Sequence, residues 1–168
     1  AFEQAGDTMR AAEALRLGAQ VEEAARLRGQ QFFNTGKIEQ ALHEYDTAGM
    51  AAEAAAALAR LGRHREAFER YRSAGLLREA AELAREHLDP REAAKLYADL
   101  GEWSEAGAVW EKAGEPLEAA LCYERSNDLA RAEETLEKAG LIAERAKLLA
   151  RLGRVEDGFN VLYLSGDL

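Results

Sequence analysis

The stretch Gly62-Arg63-His64-Arg65-Glu66-Ala67-Phe68-Glu69-Arg70-Tyr71-Arg72-Ser73-Ala74-Gly75 decides the fold. Its two glycines stand 13 residues apart, and between them an acid, an alanine and a tyrosine follow the first glycine by four, five and nine residues. The same frame runs along the chain. Gly36, Gly49, Gly62, Gly75, Gly101, Gly114, Gly140, Gly153 and Gly166 lie on one lattice of spacing 13, with Leu88 and Asn127 at the two points that lack glycine. Self-similarity at a fixed period is the signature of a repeat architecture.

Each lattice point is followed by the same grammar. Five residues on comes a small residue, Ala41, Ala54, Ala67, Ala80, Ala93, Ala106, Ala119 or Ala132, and Gly158 in the last unit. The residue before it is acidic or Gln in every unit except at Arg131. Nine residues on stands a larger apolar group: Tyr45, Leu58, Tyr71, Tyr97, Trp110, Tyr123, Leu136, Leu149 or Leu162, with Ala84 the weak member. Apolar offsets of two, five, six and nine trace one stripe of an amphipathic helix. Pro90 and Pro116 fix the helix start, because proline at the first helical position loses no hydrogen bond. The recurring Glu then falls at the third helical position, where it is expected to reach back to the cap and meet the positive helix end. The lattice glycine sits just past the preceding helix in a left-handed conformation, with Asn127 the natural substitute. Each unit is a helix of roughly 11 residues at ~1.5 Å rise per residue. So short a helix is marginal alone and needs its neighbours.

Tyr45, Tyr71, Tyr97 and Tyr123 are 26 residues apart, so the repeat is a pair of helices. The expected fold class is all-α: an α-α superhelix, a right-handed helical-hairpin solenoid of about twelve short antiparallel helices. Before Gly36 the lattice loosens. Phe2-Glu3-Gln4-Ala5-Gly6 reads as a unit ending, Gly18 is one short of a lattice point, and a longer helix is expected from about Gln20 to Thr35. Residues 1–168 are expected to form a single α-solenoid domain with no linker, read as a piece of a longer chain because Ala1 opens it and Ser165-Gly166-Asp167-Leu168 begins another unit.

Composition agrees with thin cores. Of the 168 residues 36 are Ala and 12 aromatic, which suits backbones in close approach. The net charge of −9 argues against nucleic acid or an anionic membrane as partner, since both need clustered Lys and Arg. Cys122 is the one cysteine, so no internal disulfide forms, and its neighbours Leu121 and Tyr123 place it in the core. With no leader-like start and no apolar run approaching ~18 residues, a cytoplasmic location is expected.

From Leu61 to Ala74 the pattern resembles the turn and second helix of a tetratricopeptide repeat, in its turn glycine, the Ala five later, the aromatic four further and the Ala three beyond. The likeness recurs at Gly36 to Ala48 and Gly101 to Ala113, and Leu88-Asp89-Pro90 is similar to that family's repeat ending. It departs from the family in its 26-residue hairpin, where the family uses 34, and in lacking the bulky Trp of the first helix in most units. The short-helix solenoids of coat and trafficking assemblies are the other family it resembles. The tetratricopeptide resemblance implies binding of protein or peptide on a concave face, and carries over no site residue.

Chemistry is not legible. His43, His64 and His87 lie 21 and 23 residues apart without metal-ligand spacing. Gly36-Lys37 lacks the upstream glycine of a phosphate loop. The four serines sit at helix caps or ends, and none lies in a nucleophile elbow. No catalytic, cofactor-binding or metal residue is assigned, no cofactor is called for, and the chain is read as no enzyme. Trp103, Trp110 and the tyrosines are candidate binding anchors, with core packing the better reading at apolar offsets. Arg60, Arg63, Arg65, Glu69, Arg70 and Arg72 form a locally basic strip, read as a self-paired surface rather than as a seat for an acidic peptide. The expected function is a non-catalytic protein–protein interaction scaffold, binding a partner protein or another domain of the same longer chain. The alternative is an assembly element that stacks end to end.

Overall fold

The computed structural model describes residues 2–166, with side chains from Leu17 onward. Eleven α-helices follow one another, and no strand occurs among the described residues. One compact unit, residues 1–76, holds α1 (Phe2–Asn34), α2 (Ile38–Thr47), α3 (Ala51–Arg60) and α4 (His64–Ser73). A second, residues 77–168, holds α5 (Leu77–His87), α6 (Pro90–Asp99), α7 (Trp103–Lys112), α8 (Pro116–Arg125), α9 (Leu129–Lys138), α10 (Ile142–Arg151) and α11 (Val155–Ser165). Within each unit every helix packs against the next. Connections of two or three residues reverse the chain, so the fold is all-α, of helical-hairpin type.

The lattice of 13 is a helix of ten residues plus a link of three. In the link after α2, Met50 N–H donates to the Tyr45 carbonyl at 2.9 Å and Gly49 N–H to Asp46 at 3.2 Å. This pair of bonds closes a helix only when the residue between turns left-handed. All nine lattice glycines do so, with φ between 66 and 78°, and Asn127 takes their place with φ 62°. Leu88 is the exception: Asp89 is extended at ψ 117° ahead of Pro90, and its side chain accepts from Arg91 N–H. A residue before proline is pushed out of the helical region, so the break needs no glycine.

The expected bond from the recurring Glu back to the cap N–H is corrected by these links. At the links that carry glycine or Asn127, the residue that caps the next helix is the one whose N–H already closes the helix before it: Arg63 N–H donates to Leu58, Glu102 to Tyr97, Glu115 to Trp110 and Asp128 to Tyr123. The Glu engages differently. Glu66 takes two bonds from the Arg63 guanidinium, at 2.7 and 2.5 Å, and Asp157 one from Arg154 at 2.7 Å.

Eleven helices agree with the expected count of about twelve, and the boundaries expected before Gly36 are corrected. α1 runs unbroken for 33 residues through Gly6 and Gly18, where an ending at Gly6 and a fresh start near Gln20 were expected. The lattice points of this stretch are Arg10 and Glu23, for which a left-handed turn costs about 1–2 kcal/mol, so nothing stops the helix.

The 26-residue period has a packing meaning. The Ala five residues after each lattice point is fully buried wherever it occurs. A Cβ built on Gly29 of α1 would lie 2.7 Å from Tyr45 Cε1 of α2, and one on Gly107 of α7 lies 2.8 Å from Tyr123 Cε1 of α8. Sixteen residues before each tyrosine stands Gly29, Ala55, Ala81 or Gly107. The second helix of a hairpin thus brings a ring against a small residue of the first. In the first unit Tyr45 is packed among Ile38, Ala41, Ala54 and Ala57, and in the second Tyr123 among Ala119, Ala132, Leu136 and Leu148.

Ion pairs tie α2 to α4, α5 to α7, α6 to α8 and α8 to α10. Asp46 meets Arg70 at 2.6 Å, Arg91 meets Glu115 at 2.6 Å, Glu124 meets Arg151 at 2.8 Å, and Arg78 meets Glu102. The regular pairing ends at α9. By the 26-residue phase α9 and α10 should form a hairpin, yet of all consecutive pairs within a unit they bring the least backbone into close approach, while α10 and α11 pack tightly. Position 145, where eight other units have alanine and the last has glycine, is Arg145.

Candidate functional site

The basic strip of the first unit is spent on its own molecule. Arg60 stacks on the Phe33 ring at 4.7 Å, Arg63 pairs with Glu66, Arg70 with Asp46, and Arg72 with Glu69 at 3.3 Å. It is the self-paired surface expected, and offers no row of free cations.

The second unit presents two grooves, one on each side of α8. The first, a cleft of about 530 Å³, lies between α6 and α8 with α7 beneath. Trp103 and Trp110, both half-buried, help to line it. The Arg125 guanidinium lies 4.6 Å from the Trp103 ring, and Arg91 and Glu115 pair at the N-terminal ends of α6 and α8. The second groove, about 510 Å³, lies between α8 and α10. Leu117, Ala120, Leu121, Leu136 and Ala150 make it apolar, with the Glu124–Arg151 pair on its wall.

Leu121 belongs to both grooves. With Leu117 it forms a ridge on α8 at i, i+4 spacing, the two side chains 42% and 43% exposed. These residues fall at offsets three and seven from their lattice point, off the buried stripe. Every other unit from Gly36 onward carries Glu, Ala, Arg, Ser, His, Lys or Asn at those offsets. The sequence held this signal, and reading only the apolar stripe missed it. Leucine at a position the fold never buries is a surface feature of this one helix.

The other residues singled out in the sequence are dispersed. His43, His64 and His87 lie on α2, α4 and α5, and among the described residues no group of three His, Cys, Asp or Glu is placed to hold a metal. Gly36 closes α1 and Lys37 caps α2, its ammonium 5.9 Å from the Phe32 ring. Cys122 is buried beside the first groove, and burial pushes its thiol up, away from the reactive thiolate. No described helix is long and apolar enough to cross a membrane. No protein-family model matches the chain, and a search among curated proteins finds no match.

Proposed function

We propose that this chain is a non-catalytic interaction scaffold of tetratricopeptide-like kind. It takes an extended or helical segment of a partner protein, or of another domain of its own longer chain, on the face formed by α6, α8 and α10. The observation that carries the reading is the Leu117–Leu121 ridge, exposed between two grooves on the one helix from α2 onward that carries leucine at those offsets. Grooves of this size suit side-chain anchors, and apolar and aromatic walls supply most binding energy at such surfaces. A cytoplasmic setting and the absence of catalysis belong to this proposal. The test is selection from a displayed peptide library on the whole chain, followed by binding of the selected peptides to the Leu117→Asp/Leu121→Asp variant. Selected peptides should bind the variant at least about tenfold more weakly while its helicity is unchanged, a loss of about 1.4 kcal/mol. Equal binding to both proteins would remove this face from the proposal.

A second reading, end-to-end assembly, rests on α11. Its Val155, Phe159 and Tyr163 form a bare stripe, 62%, 57% and 67% exposed, with the two rings stacked at 6.3 Å.

A further inference from the structure

We infer that α10 and α11 act as one flap, latched onto α9 by an ion cluster and able to open from it as a unit. In most of the array consecutive helices are held by a buried alanine lying close against a neighbour. At the α9–α10 junction that alanine is replaced by Arg145, and the residue one turn into the opposing helix, small in α3, α5 and α7, is Glu133. The two meet at 3.0 Å, each about one-fifth exposed. Arg145 also reaches Glu137 at 2.8 Å, and Glu133 is held from its other side by Arg154 at 2.7 Å. The Arg145 Nε is buried and has no hydrogen-bond partner.

The consequences follow from packing and electrostatics. A guanidinium needs more room than a methyl group, and α9 and α10 stand off accordingly. Half-buried ion pairs give back much of their attraction as lost hydration, so they close a junction less firmly than apolar contact does. On the far side of the junction the reverse holds. Gly158 of α11 brings its Cα so near α10 that an added Cβ would lie 3.0 Å from the Ala146 carbonyl oxygen. A tight hairpin beyond a loose junction moves as one body. Opening bares Leu136 and Leu148, both fully buried in the closed state, and removes the α10 wall of the groove beside α8.

Hydrogen exchange of backbone amides on the whole chain, read by mass spectrometry, tests this. The α10 and α11 amides should exchange at one common rate, about tenfold faster than those of α7 and α8, as a cooperative sub-global opening requires. Exchange that frays inward, with α11 faster than α10, or protection equal to that of α7 and α8, overturns the flap. Glu133→Ala/Arg145→Ala restores the small residues used elsewhere and should slow α10 and α11 together. Arg154→Gln cuts one arm of the latch and should speed both helices without changing α7 and α8. A double variant that leaves the rate unchanged or raises it, or an Arg154→Gln rate equal to wild type, overturns the latch.

Discussion

A single methyl group separates two kinds of glycine in this chain. At Gly107 it would strike the Tyr123 ring, which is 1% exposed and fixed by the bond from its hydroxyl to Glu111 at 3.1 Å. Alanine is the better helix former by about 1 kcal/mol, whereas overpacking a core costs about 1–3 kcal/mol. The clash wins, so Gly107→Ala should lower the unfolding free energy measured in denaturant. At Gly18 nothing lies within 4 Å of the added atom, and Gly18→Ala should raise helicity by circular dichroism. Loss of helicity there would show that Gly18 is not open as described, and a gain of stability at Gly107 that the ring does not lie on that glycine. The sequence marks Gly107 only as a glycine off the lattice. Its meaning depends on a tyrosine 16 residues away, and that pairing is visible only once the two helices are folded against each other.

At the scale of the element, most of the fold was legible because each signal is local. A glycine or Asn127 at the turn, a proline at the start and an alanine in the middle each act within one helix and its link. The expected bond from the Glu to the cap failed for the same reason. It treated each helix alone, while the cap N–H belongs to the helix before. The hairpin phase failed at α9 because Arg145 and Glu133 look like ordinary surface charges in one dimension and face each other only across the junction. That junction also carries a pH dependence. Burial pushes the Glu133 carboxyl up, but hydrogen bonds from Arg145 and Arg154, reinforced by their charges, outweigh burial and leave it below its ordinary 4.5. A depressed carboxyl contributes stability that is complete above its unfolded value and is lost as pH falls through the folded one. Stability should therefore drop more steeply below about pH 4.5 in the wild-type chain than in Glu133→Gln, followed by thermal unfolding at stepped pH. Parallel acid limbs would mean that the arginines do not hold the carboxylate.

At the scale of the whole molecule, the candidate binding face was less legible than the fold. The rule that places apolar residues in a stripe recurs in every unit from Gly36 onward, whereas leucines off that stripe at offsets three and seven occur only in α8, and a single departure stands out only after the buried face is known. Association is the other property decided at this scale. The bare stripe of α11 is one helix face, well short of the ~800 Å² per partner of a standard interface, and a charge of −9 opposes the approach of identical copies. The chain should sediment as a monomer, with a coefficient that does not rise with concentration. Growth in the coefficient that Phe159→Glu abolishes would favour end-to-end assembly instead.

The shared residue between successive helices has one more consequence. Because the stop of one helix is the start of the next, the array holds no spacer in which an inserted or deleted residue could be absorbed. A segment gained or lost within it must come in steps of 13 to keep the turns. It must come in steps of 26 to keep the rings over small residues. The array is therefore tolerant of substitution at most exposed sites and intolerant of slippage, and new length enters it only as whole hairpins.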